Sequence, residues 1–332
     1  SKEINGDFEN RFYSNLSPAW IGIKNLEKPD ALSEKYFNNE IKIENEISRK
    51  ILESTPDNWS EIIKSKIKKV IFSMFDVDER TKRKSLSILR KKKINVKYGL
   101  LKNEASKIYK QYILNKKKSL PFVVGKIAIS KDNCIHSTKT KKITNIHSDS
   151  ISHLLRYKSD AILISSKTLN IDNPKLNCRL NGLEKFSPKI LVLDRDLKIN
   201  LNSFIVKNSK KNKTIIFHNS SNSLKINKLK KNGIKLINLK VEGNNLFDLK
   251  KVLKKIYQTG IYTLLVECGR ILTYKMISKK LFNEFYLFKS NKSLFNKDKI
   301  NVLDIKRKLN NKFRNRNFVN TYLDKDTLMH YY

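Results

Sequence analysis

From Ile62 onward the chain repeats one pattern: a short apolar run, a polar turn, then a stretch with apolar residues at helical spacing. The runs at 67–73, 94–98, 122–129, 161–165, 189–193, 214–217, 262–267 and 284–289 are too short for buried helices. Most are rich in β-branched or aromatic residues, so they predict strands. Between them, helices are predicted over 85–92, 103–114, 148–158, 245–258 and 270–279. In the fourth, Leu246, Leu249, Val252, Leu253 and Ile256 form one stripe, and Gly260 supplies the stop. Strands separated by helices predict an α/β fold, a sheet with helices packed on it.

The lysine run 116–118 marks the best boundary, giving domains over 1–118 and 119–332. Residues 1–60 show no clear periodicity beyond a candidate helix at 40–53 and are left unassigned. A chain of 332 residues with 39% apolar content can bury a substantial core. No segment approaches the roughly 18 uninterrupted apolar residues of a membrane helix. The start carries acids and no apolar h-region, and the three cysteines are odd in number and scattered. A cytoplasmic protein with no membrane partner is therefore expected.

The formal charge of +39 promises low-salt affinity for phosphate backbones. The lysines and asparagines are nevertheless spread along the whole length, and no nucleic-acid-binding motif occurs, so no specific nucleic-acid partner is expected. There is no His before His136 and no Cys before Cys134, so the first domain cannot assemble a zinc site from those ligands. Walker A, G-x-G-x-x-G, G-x-S-x-G and H-E-x-x-H are all missing.

Two segments attract attention. The strand at 262–267 ends in Glu267, and Gly269 follows as a tight turn into a helix whose free N–H groups suit a phosphate. The strand at 161–165 empties into Thr168-Leu-Asn-Ile-Asp172-Asn-Pro-Lys-Leu176-Asn-Cys-Arg179, read as a loop. Arg156 lies one helix upstream, and two arginines near one strand end would clamp a phosphate. A turn in which Asp172 caps a backbone N–H explains the loop equally well, and spacing leaves both open.

The ordered motifs from 119 to the end resemble the reductase domain of the bifunctional riboflavin-biosynthesis deaminase/reductase family. Pro121-Phe122, Lys126-Ile-Ala-Ile-Ser130 and Asp132 look like its opening P-F-x-x-x-K-x-A-x-S-x-D-G. Ile143-Thr144 with Leu155-Arg156 looks like its I-T…L-R, and Asp160-Ala-Ile through Arg179 like D-A-I…T-x-x-x-D-D-P-x-L-x-x-R. Ile190 to Arg195 and Val266-Glu-Cys-Gly269 look like V-V-L-D and V-E-G-G. This chain carries Asn133, Lys142, Asn173 and Cys268 where the family has Gly, often Trp, Asp and Gly.

The resemblance implies a dihydrofolate-reductase-like mixed sheet flanked by helices, preceded by a remnant cytidine-deaminase-like α/β domain. It implies NADPH as cofactor, no zinc, a phosphoribosylamino-pyrimidine substrate and a homodimer. Carried over by position, Asp172 and Glu267 are catalytic. Ala128, Lys142, Thr168, Asp172, Arg195, Gly269, Arg270, Ile271 and Leu272 touch the cofactor. Thr140, Arg156, Leu176, Arg179 and Glu267 hold the substrate. The activity implied is reduction of the ribosyl chain of 5-amino-6-(5-phosphoribosylamino)uracil to the ribityl form. The segment from about 62 to 118 resembles the end of the deaminase domain without its zinc motifs. Two other readings remain: a non-catalytic partner of a separate deaminase, and a basic nucleic-acid-binding protein.

Overall fold

A computed structural model describes residues 59–77, 84–135, 142–243, 245–294 and 299–332. The candidate helix at 40–53 lies outside them. The chain divides into two compact units between Lys118 and Ser119.

The first unit contains α1 (Trp59–Lys64), β1 (Lys69–Phe72), α2 (Lys84–Lys91), β2 (Asn95–Tyr98), α3 (Lys102–Ile108) and α4 (Lys110–Lys118). β1 and β2 pair in parallel, Lys69 opposite Asn95. Ile62, Leu89 and Ile94 make one small core, and Met74, Ala105 and Tyr109 another. The single helix expected over 103–114 is two, broken at Tyr109, whose ring is packed in that second core. The lysine run expected as a boundary forms the last turn of α4.

The second unit runs β3 (Phe122–Ile129), β4 (Cys134–Ile135), α5 (Ile146–Tyr157), β5 (Ala161–Ser165), α6 (Ser166–Asp172), β6 (Lys189–Leu193), α7 (Phe204–Lys207), α8 (Ser209–Asn212) and β7 (Ile215–His218). It continues with α9 (Ser223–Lys231), β8 (Lys235–Asn238), α10 (Leu249–Gln258), β9 (Thr263–Val266), α11 (Arg270–Ser278) and β10 (Glu284–Lys289). β11 (Ile300–Asn301), α12 (Leu303–Lys312), β12 (Arg316–Phe318) and β13 (Thr327–Tyr331) complete it. Nine strands form one sheet in the order β12-β13-β10-β3-β9-β5-β6-β7-β8. β13 is antiparallel to both neighbours, and the remaining pairs are parallel. This is the expected α/β architecture, a mixed sheet flanked by helices.

Alternation along the strands sends side chains to opposite faces. Val123, Ile127, Phe285, Leu287, Leu264 and Val266 pack with the stripe Leu249, Val252, Leu253 and Ile256 of α10 and with Ile305 and Leu309 of α12. Ala128, Tyr286 and Phe288 meet Ile151 and Leu155 of α5, with Leu323 and Leu328. Gly125 on β3 stands opposite Phe285 on β10, and a Cβ there would lie 2.2 Å from that ring. At this position glycine is required for space.

Several helix starts follow side-chain caps. Asn145, Ser165, Asn222 and Asp248 accept from backbone N–H groups at the starts of α5, α6, α9 and α10. The Asp248 cap explains why α10 begins four residues later than expected, with Asn245 at φ 56° outside it. Asp326, near the C-terminus, accepts from the Asn145 N–H and the Ser148 hydroxyl, both at 2.8 Å, and so fixes the start of α5.

Candidate functional site

The segment after β5 is not the loop that polar composition suggested. Ser165 caps a helix directly, and Thr168 to Asp172 lie on α6. Asn173 ends it at φ 41°, a left-handed conformation that asparagine tolerates, and its side-chain Oδ1 accepts from the Phe204 N–H at 2.8 Å. Ser165 and Asn173 take the two ends of the helix, and Asp172 sits exposed at the last position of α6. Leu176, buried, holds φ 53°, which costs a branched side chain on the order of 1 kcal/mol.

β5 and β9 are neighbours, so the segments leaving their carboxyl ends meet. The Gly269 N–H donates to Thr168 Oγ1 at 3.3 Å, and Thr168 Oγ1 lies 2.9 Å from Ser165 Oγ. Gly269 has φ −68°, so any residue adopts its conformation, and the tight turn does not require glycine. A Cβ there would meet Thr168 Oγ1 at 3.5 Å, an ordinary contact. Among the described residues no side chain caps α11, in contrast to α5, α6, α9 and α10. The first N–H groups of that helix, at Arg270, Ile271 and Leu272, suit an anion such as a dinucleotide's diphosphate.

On the α5 face Glu267 meets two cations. Arg156 Nε and Nη2 donate to its two carboxylate oxygens at 2.7 and 3.0 Å, a bidentate pair. Lys126 Nζ lies 3.9 Å from Oε2, and all three side chains are nearly buried. Burial alone would raise the Glu267 carboxyl, but Arg156 and then Lys126 outweigh it and hold the carboxyl down at about 2. Burial lowers the Lys126 ammonium, with Glu267 opposing. Burial likewise opposes the Arg156 charge, but Glu267 overcomes it and raises Arg156. His153, one turn before Arg156, is pushed down to about 4 by burial, then by Arg156 and Arg179, so it is neutral at pH 7.

Asn177 joins the two arginines. Its backbone oxygen accepts from Arg156 Nη1 at 3.3 Å and its side-chain oxygen from Arg179 Nη1 at 3.0 Å. His153 Nδ1 lies 3.1 Å from the Asn177 oxygen and 3.3 Å from the Arg179 N–H, contacts that need opposite tautomers. Arg156 and Glu267 meet directly and Arg179 joins them through Asn177, while Thr168 and Gly269 are joined at the adjacent strand end. Lys126, His153 and Asn177 were missed. Lys126 was visible in the K-x-A-x-S motif, but His153 and Asn177 owe their roles to contacts that spacing does not encode.

Other expected residues lie around this center. Ala128 is two residues beyond Lys126 on β3, on the same face. Lys142 is exposed and pairs with Asp149 on α5. Arg195, after β6, forks onto Asp196 at 2.7 and 2.8 Å and donates to the Asn245 oxygen. Arg270 is drawn to Asp304 of α12 at 2.7 Å, and Ile271 is exposed. Thr140 lies outside the described residues. Cys268, buried, gives its thiol to the Leu163 oxygen at 3.3 Å, and burial raises its pKa.

The model of one family, the RibD C-terminal domain, matches residues 121–294, the stretch holding this whole cluster. The chain belongs to that family. It is 28% identical over 236 residues to the riboflavin biosynthesis protein RibD of Aquifex aeolicus, covering 70% of this chain and 64% of that protein. The RibD of Actinobacillus pleuropneumoniae is 27% identical over 239 residues, covering 70% and 62%. The matches thus span a little under two thirds of these relatives' length. Among solved structures, Acinetobacter baumannii RibD superposes at TM-score 0.66 and 20% identity, over 82% of this chain and 74% of that one. The diaminohydroxyphosphoribosylaminopyrimidine deaminase/5-amino-6-(5-phosphoribosylamino)uracil reductase of Thermotoga maritima gives 0.63 and 22%, over 82% and 73%. These likenesses show a shared fold.

Proposed function

We propose that this RibD-domain protein reduces the ribosyl chain of 5-amino-6-(5-phosphoribosylamino)uracil to the ribityl form with NADPH. The observation that carries the reading is the buried Lys126–Glu267–Arg156 cluster beside the uncapped start of α11. Two cations against one carboxylate leave a net positive charge that complements a phosphorylated substrate. NADPH, when bound, supplies the hydride, and the protein's task is alignment and electrostatics. The Arg270, Ile271 and Leu272 amides fit its diphosphate, and Thr168 and Asp172 border the same strand ends.

The hydrogen-bonding geometry divides labour between the two arginines. Arg156 spends its fork on Glu267 and acts as a positioning residue, keeping that carboxylate ionised and fixed. Arg179 is exposed and held by Asn177, which leaves it to meet the substrate phosphate; Leu176 lies between them in the chain. Lys126, made less basic by burial, stands ready to donate to a substrate oxygen. The first unit is read as a deaminase remnant: residues 1–118 contain neither His nor Cys, so this stretch offers no thiolate or imidazole to zinc.

The test is NADPH oxidation with the deaminated pyrimidine substrate. Wild type is expected to turn over. Glu267→Gln is expected to lose at least about 100-fold in kcat/KM, and Asp172→Asn to raise the cofactor KM. Saturable NADPH binding without turnover would favour a non-catalytic partner of a separate deaminase. No saturable binding by the folded protein would overturn the assignment.

A further inference from the structure

The stretch 197–241 holds 11 lysines and not one Asp, Glu or Arg. A few described lysines elsewhere meet acids, as in Lys126–Glu267, Lys251–Glu242 and Lys299–Asp132, and Lys198 at the edge of the stretch meets Asp196. Within this stretch the fold gathers lysines from distant positions. Lys207, Lys210, Lys211 and Lys231, with Asn208 and Asn232, line one open groove of about 400 Å³. Among the described residues no acid forms an ion pair with these four.

The groove is built on a fixed frame. The buried Ser209 hydroxyl donates to the Asn232 oxygen, fastening the start of α8 to the end of α9. The Lys210 stem crosses Gly233, where a Cβ would lie 2.7 Å from its Cγ, and Gly233 also takes φ 78°. The groove lies where the chain enters β7 and β8, at their amino ends. Glu267 and Thr168 lie at the carboxyl ends of β9 and β5, the opposite end of the parallel sheet.

We propose that this groove binds the phosphodiester backbone of double-helical nucleic acid without reading its sequence. Lysine is a compact, mobile point charge that neutralises phosphates without demanding a fixed fork, and the stretch contains no arginine for bidentate base reading. Single strands are held by exposed aromatic platforms, and the stretch has none. Phe217 and His218 are buried, and Phe204 is half-buried with Lys175 over its ring. Charge alone, presented on a rigid concave frame, fits a duplex backbone.

The experiment measures fluorescence anisotropy of the full chain with short mixed-sequence DNA and RNA duplexes, from about 50 to 200 mM salt. The groove variant carries Lys207→Gln, Lys210→Gln, Lys211→Gln and Lys231→Gln. The control removes equal charge from α10, through Lys250→Gln, Lys251→Gln, Lys254→Gln and Lys255→Gln, exposed lysines outside the stretch. A pair variant, Lys207→Gln with Lys231→Gln, gives a second reading if the fourfold variant melts early. Wild type is expected to bind with Kd of roughly 1–100 μM at physiological salt, and the groove variant to weaken at least about tenfold. The groove variant should flatten the log–log salt slope by about 3–4, the pair variant by about half that, and the control should stay within about threefold of wild type. Equal losses in groove and control variants would overturn the proposal. So would tighter binding of single strands than duplexes, or groove-dependent binding of phosphatidylserine vesicles with duplex binding untouched.

Discussion

Glu267 is the residue on which the center turns, because it is the sole carboxylate forming an ion pair with either Lys126 or Arg156 among the described residues. Glu267→Gln leaves both buried cations without their counter-charge. The variant is expected to lose about 3–5 kcal/mol in urea denaturation, less if water reaches the gap. Its pH behaviour follows from the low carboxyl value. A pKa near 2, below the ordinary 4.5, means a stabilising contribution complete above the ordinary value and lost as pH falls toward 2. His153, near 4 against an ordinary 6.5, acts in the same sense: its contribution is present above 6.5 and is lost between 6.5 and 4. Thermal melts of wild type should therefore fall in two steps on acidification. Glu267→Gln should shrink the lower step and keep the upper one, the remainder coming from carboxylates such as Asp132 that are also held below their ordinary range.

At the scale of elements, strand positions were the most legible part of the chain. β3, β5, β6 and β10 begin and end where apolar runs and their β-branched content place them. A buried parallel strand is written as a continuous apolar run, and little else in a polar chain resembles it. Helix starts were less legible, because caps decide them: Asp248 shortens α10, and Ser165 makes a helix of the polar segment read as a loop. Within the site, Glu267, Arg156 and Thr168 were legible through ordered motifs, whereas His153 and Asn177 act through tertiary contacts between α5 and the segment after α6. β3 and β10 carry a second dependence that no local pattern reveals. Gly125→Ala drives a methyl into the Phe285 ring and close to Phe282, and should cost at least about 1–3 kcal/mol by chemical denaturation. Phe285→Leu in the same chain should recover part of that loss, a coupling that a double-mutant cycle reads directly.

The whole molecule divides at Lys118 and Ser119, and the second unit has its own extensive core on both faces of a nine-stranded sheet. Residues 119–332 expressed alone should therefore melt in one cooperative transition, with calorimetric and van't Hoff enthalpies agreeing. Separate early loss of near-UV signal would contradict a single cooperative unit. The sheet also has two ends, and they are finished differently. One closes on the antiparallel β12–β13 pair, and the other stops at β8 with Lys235 exposed on the strand and Lys240 just past it. An unpaired strand edge is a template for the next molecule, and like charges along it hold copies apart. That barrier consists of screened repulsion over roughly 10 Å at 0.1 M salt, so added salt shortens it while leaving the strand unchanged. Lys235 and Lys240 thus serve as the molecule's guard against edge-to-edge fibril growth. A polyanion that neutralised them would remove that guard along with the charge.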